Sequence, residues 1–208
     1  MATTTPNYGW DVPTSTDYVA QGAVAIETLG DDIDASLFDI TTGRNVGMVL
    51  INTTSFSSVA SQQINNVFST TFDNYRAVLK LNATATGLIL LRLRVGGTDA
   101  SGVNYEQQGV RIRSGVIANP NGVGTGNAFT ALDVQANVAK NGSSFDIISP
   151  FLAENTQFLS TGFDFAVNDQ SAEFRAGNHN LSTSYTGLTL LPQSGNITGT
   201  ISIYGYRK

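Results

Sequence analysis

ITGTISIYGY, residues 197–206, decides the fold class. In an extended chain Ile197, Gly199, Ile201, Ile203 and Gly205 fall on one side, and Thr198, Thr200, Ser202, Tyr204 and Tyr206 on the other. A period of two with β-branched and aromatic residues is the signature of a strand with one buried face. Working back along the chain, the same period recurs. YRAVLKLNAT (75–84) lines up Tyr75, Ala77, Leu79 and Leu81, and LILLRLRV (88–95) alternates Leu91, Leu93 and Val95 with Arg92 and Arg94. LDVQANV (132–138) groups Leu132, Val134, Ala136 and Val138. Clusters of Gly, Asn, Asp, Ser and Pro separate these runs, as turn chemistry requires. Eight to ten strands from about residue 45 onward, with no second helical pattern, predict an antiparallel β-sandwich of jelly-roll type.

The N-terminal part has a different period. From Thr16 to about Phe38, Val19, Ala23, Ile26, Leu29, Ile33 and Leu37 recur at steps of three and four, which predicts a helix. Ser15 or Thr16 is positioned to cap it, with Asp17 in the first turn. The stripe reads in two ways, as an amphipathic helix lying on its own domain or as a seam between copies of the chain. Ahead of it, PNYGWDVP (6–13) packs two prolines, a glycine and two large aromatics into eight residues, an extended, turn-rich segment. Trp10 is the single tryptophan, readable as a local plug against the helix or as an anchor in a partner's pocket. The organisation expected is therefore a docking segment (1–15), an oligomerisation helix (16–40) and a β-sandwich (45–208).

Composition limits the function. Apolar residues make up 41% of the 208, enough for a substantial core, while charged residues are only 13%, about half the usual share. Thr, Ser, Asn and Gly fill the gap, so the surface is wetted by hydrogen bonds, as on many extracellular and virion proteins. A net charge of −5 and scattered cations argue against nucleic-acid binding, which needs clustered Lys and Arg. Arg92, Arg94, Arg111 and Arg113 alternate as solvent-face residues of strands do. With no cysteine there is neither a disulfide nor a thiolate site. MATTTPNYGW lacks the basic and apolar regions of a signal peptide, and no apolar run is long enough for membrane insertion.

Three further features bear on chemistry. His179 is the single histidine and sits in the polar stretch AGNHN, where a solvated loop histidine is expected, with ligand contact or a metal on a trimer axis as the alternative. GVGTGN (122–127) lacks the lysine and the strand–helix setting of a phosphate loop. Asp164 with Asp169, or Glu154 with Asp146, would suit a glycosidase only if folding set them at the required separation. No enzyme activity, cofactor or metal is expected.

NYGWDVPTSTDYVAQGAVAIETLGDDIDASL (7–37) resembles the N-terminal module of bacteriophage tail-fibre and minor tail proteins. The resemblance rests on Tyr8, Gly9, Trp10, Pro13, Thr16, Asp17, Gly22 to Ile26, and Asp32 to Asp34. SFSSVASQQINNVFSTTFDNYRAVLKL (55–81) is similar to a second segment of such proteins, and GTISIYGYRK (199–208) to their closing strand. The resemblance implies a homotrimeric structural virion protein, a short fibre or knob assembled in the bacterial host cytoplasm. Tyr8, Trp10 and Pro13 would dock on another virion protein, and the helix stripe would trimerise. The β-sandwich would meet a host surface glycan or envelope protein, with Tyr105, Phe151, His179 and Tyr185 as candidate receptor contacts, because aromatics stack on sugar faces. The competing reading of these aromatics is core or strand-edge packing. The chain lacks the long shaft of extended fibres, and the distal domain is expected to be complete at its final strand.

Overall fold

The computed structural model describes the chain except residues 1, 2, 7, 17, 42–46, 121–123, 138–140 and 167–168, and the side chains at 41, 165, 166 and 169. It divides into two compact units, 1–47 and 48–208.

In the first unit, β1 (Thr3–Thr4) pairs with β2 (Asp11–Val12) and α1 spans Val19–Thr41. The extended, turn-rich segment forms a hairpin. The Thr5 N–H donates to Trp10 O (2.9 Å) and the Trp10 N–H to Thr5 Oγ1 (3.0 Å), which closes the loop. The helix starts later than the capping pattern suggests, because Tyr18 O accepts the first bonds, from the Gln21 and Gly22 amides (2.9 Å each). Tyr18, rather than Ser15 or Thr16, therefore occupies the cap position; Asp17 lies outside the described residues. The helix continues to Thr41, so Asp31, Asp32 and Asp34 fall in its interior.

The second unit is mainly β, an antiparallel sandwich as its periodicity predicts. Its strands are β3 (Met48–Val59), β4 (Gln62–Ile64), β5 (Asn74–Ala83), β6 (Gly87–Val95), β7 (Thr98–Asp99), β8 (Tyr105–Arg113), β9 (Val116–Ala118), β10 (Gly124–Gly126), β11 (Phe129–Val134), β12 (Asn141–Ile148), β13 (Thr156–Ala166), β14 (Asp169–His179), β15 (Gly187–Pro192) and β16 (Ile197–Tyr206). The larger sheet runs β10-β8-β14-β13-β12-β5-β16-β3, with β9 on β8. The smaller runs β11-β6-β15-β4, with β7 on β6. Pairing is nested: β3 pairs with β16 and β4 with β15, while β5 pairs with both β16 and β12.

One core lies between the sheets. It takes Tyr75, Ala77, Leu79 and Leu81 from β5, Ile197, Ile201 and Ile203 from β16, Leu91 and Leu93 from β6, and Phe145 and Phe158 from β12 and β13. Burying each large apolar side chain stabilises the fold by about 1.5–3 kcal/mol. Strand β11 departs from simple alternation. Its register on β6 shifts between Thr130 and Leu132, so Ala131 and Leu132 both enter the core. Such a bulge puts two consecutive residues on one side. Val138, expected on this strand, lies outside the described residues.

Candidate functional site

The N-terminal unit exposes most of what the sequence marks for assembly, with Trp10 half-buried. Tyr8 and Trp10 stack with ring centroids 5.1 Å apart, and Tyr8 remains 74% exposed. Pro13 is exposed and lies beside the helix at Gly22, where an added Cβ would meet its Cβ at 3.9 Å. Among the described residues of α1, Ala25 alone is buried. Val19 is 92% exposed and Ile26 62%, and Ala23, Ile33, Leu37 and Ile40 are exposed with them; Leu29 is half-buried. The long apolar stripe of this helix is open along most of its length.

The candidate receptor contacts of the second unit are placed differently. Tyr105, His179 and Tyr185 are fully buried, so they cannot meet a receptor on the surface. His179 is the last residue of β14, in register with Thr156 and Tyr105, and strand parity turns it inward. Its ring lies edge-on to Tyr105 at 4.3 Å and to Tyr185 at 5.3 Å. Tyr105 packs edge-on against Phe129 (4.8 Å), donates to Ala100 O (2.7 Å) and accepts from the Leu93 N–H (3.1 Å). His179 Nε2 is buried without a hydrogen-bond partner. Burial pushes the imidazole pKa down, against a smaller upward pull from its backbone contact with Leu181, and burial likewise raises the phenols of Tyr105 and Tyr185. The expected solvated loop histidine is thus a neutral core residue, and the same burial keeps it from reaching a metal on a trimer axis. Phe151 is half-buried and packs against the core cluster.

Arg92 keeps to the outer face of its strand, but Arg94, Arg111 and Arg113 depart from expectation. Arg94 is buried on the outside of the smaller sheet. It donates to Asn65 Oδ1 (3.0 Å) and Thr189 Oγ1 (2.8 Å) and pairs with Asp99. Arg111 and Arg113 project from β8 to the inner side of the larger sheet. There Arg111 pairs with Asp133, and Arg113 lies 4.0 Å from Asp164. Beside them Arg175 is 0% exposed, donating from Nε (2.8 Å) and Nη2 (2.5 Å) to Glu173 Oε2, while Glu173 Oε1 accepts the Asp133 N–H at 2.7 Å. Each of these carboxylates faces an arginine, and Glu173 is hydrogen-bonded through both oxygens, an arrangement that holds a charged interior together. Of the other pair considered for sugar chemistry, Asp146 lies on the outer face and accepts from Tyr206 Oη at 2.8 Å, and Glu154 is exposed in the turn after β12. The side chain of Asp169 lies outside the described residues. Among the described residues no three His, Asp or Glu side chains are grouped to hold a metal ion, and no helix is long and apolar enough to cross a membrane.

The outer face of the larger sheet carries a depression of about 710 Å³, lined by Val78, Lys80, Gly142, Ser144, Thr161 and Phe163 among others. Its floor depends on Gly142. A Cβ there would come within 2.7 Å of the Phe163 ring, which lies over it. No protein-family model matches the chain, and no curated protein matches its sequence.

Proposed function

We propose that this chain is a structural virion appendage of a bacteriophage: a homotrimeric short fibre or knob. Its N-terminal segment attaches to another virion protein, and its β-sandwich is presented for host adsorption. The observation that carries this reading is the open apolar stripe of α1, from Val19 (92% exposed) through Ile26 to Ile40. A helix apolar on a face its own unit leaves uncovered is stabilised by burying that face elsewhere. The stacked Tyr8–Trp10 pair at the hairpin tip supports docking, because large aromatics anchor interfaces. The low charge and absent cysteines agree with a virion surface. No catalytic role is proposed.

One observation favours a second reading, a capsid, neck or tail decoration without receptor binding. Three of the four aromatics suited to sugar contact are core residues.

The test is the mass of the full chain in solution, by light scattering at two concentrations. A stable species of three times 22.0 kDa is expected. Ile26→Asp should dissociate it while the β-sheet circular dichroism persists. A monomeric parent chain refutes the assembly reading, and an oligomeric Ile26→Asp variant removes the helix as its seam. Competition of purified chain with phage adsorption separates the two roles of the sandwich.

A further inference from the structure

Over Val110–Arg113 of β8, Ser171–Arg175 of β14 and Leu159–Asp164 of β13 the usual polarity is inverted. Their inward positions carry Arg111, Arg113, Glu173, Arg175 and Asp164. Their outward positions carry Val110, Ile112, Phe174, Leu159 and Phe163, all between 37% and 47% exposed. Strand β9 extends the outward set with Ile117, 70% exposed. Register aligns these side chains in rows across the sheet. Ile117, Ile112, Ala172 and Phe163 form one row, Val110, Phe174 and Thr161 the next, and Gln108, Ala176 and Leu159 the third. At the β5–β16–β3 end of the same face the rows turn polar, through Ser144, Lys80, Thr200, Ser202, Thr53 and Ser55. A sheet with one wet face places its apolar residues toward the core; this end places them toward the outside.

We infer that the apolar half of this face, centred on Phe174, is a subunit interface covered by a second copy of the chain. Two observations select a copy as the occupant. First, the three rows contain no charged side chain, so the same patch on neighbouring copies can meet around a shared three-fold axis without stranding a charge. The chain as a whole carries −5, and copies approach most readily where like charge is absent. Second, the extent is right. Four strands about 4.8 Å apart, with rows spread over about 20 Å, give a footprint of about 400 Å². A standard interface buries about 800 Å² per partner, roughly half or more of it apolar. Gln108, Gln157, Asn178 and Ser144 border the patch as a polar rim, with the carboxylates Glu106 beside Asn178 and Asp146 beside Leu159 outside the three rows, and the depression at Gly142 beside Phe163 provides relief into which a facing side chain fits. A patch of about 400 Å² matches the largest apolar patch of a typical monomer, and such patches are often functional. The inference rests on the oligomeric reading above and adds a second contact, in the sandwich.

The absence of cysteine makes the test direct. V110C sits in the patch, and S55C sits at the polar end of the same face. Each full-length single-cysteine variant is reacted with a bulky maleimide, and its mass is measured in parallel. The expected result is an oligomer in which V110C reacts at least tenfold more slowly than S55C, with the rates converging in urea. Mild oxidation should also join V110C chains covalently. Equal rates in a stable oligomer overturn this inference and leave the helix-based assembly standing. Equal rates in a monomer overturn both. Protection of V110C only after addition of purified lipopolysaccharide overturns the second copy as occupant. Phe174→Gln, at a half-exposed position that leaves the fold intact, should weaken the oligomer at least tenfold; an unchanged association constant overturns the inference independently.

Discussion

Glu173→Gln tests the charged interior directly. In the parent, Glu173 Oε2 accepts two bonds from Arg175, at 2.8 and 2.5 Å, and Oε1 accepts the Asp133 amide at 2.7 Å. Both side chains are buried, at 0% and 1% exposure, so water cannot take over the lost role. Glutamine is nearly isosteric and keeps a carbonyl oxygen as acceptor, which isolates the loss of charge. Removing one partner of a buried ion pair costs about 3–5 kcal/mol, because the remaining charge stays desolvated. In a unit of this size each kcal/mol moves Tm by about 2–4 °C, so a fall of about 6–20 °C is expected. Urea unfolding followed by far-ultraviolet circular dichroism is the suitable assay, because Trp10 belongs to the other unit and its fluorescence reports there. The double variant Glu173→Leu with Arg175→Met should recover more than half of the loss, since an apolar replacement of both partners removes the desolvation penalty. A Glu173→Gln variant within 1 kcal/mol of the parent refutes the reasoning: the pair would then be screened by water, and the inverted polarity would have no energetic consequence.

Three further outcomes are expected. Because burial lowers the His179 pKa, the unfolded chain binds a proton near pH 6.5 that the folded chain refuses. Stability is then full above about pH 7 and falls as pH drops from 6.5 to the lower folded value, by up to about 1.4 kcal/mol per pH unit. His179→Gln should flatten that window in urea titrations, and an unchanged slope would contradict the assignment. Gly205→Ala should destabilise the sandwich by about 1–3 kcal/mol, because the new Cβ would lie 2.4 Å from the buried Phe72 ring; a neutral result in thermal unfolding would mean that ring can move. Deleting residues 1–13 should abolish incorporation into particles without preventing oligomer formation, and normal incorporation in a reconstitution assay would remove the docking role of Tyr8 and Trp10.

Elements whose side chains obey a local period were legible in the chain before folding. Strand β16 buries Ile197, Ile201 and Ile203 as its alternation requires, and β5 does the same with Tyr75 through Leu81. The helix, the change of period near residue 45 and the antiparallel sandwich were legible for the same reason: burial of one face imposes its repeat on the chain. Tertiary structure decided whatever depends on which of two faces is inside. Alternation marks Arg111 and Arg113 as a set but is silent on direction, and the fold turns that set inward against Asp133 and Asp164. It likewise sends His179 and Tyr185 into the core from stretches that are polar in composition. Ion pairing and aromatic packing between residues far apart in the chain settle such choices, and a period measured along one strand contains no trace of the partner across the sheet.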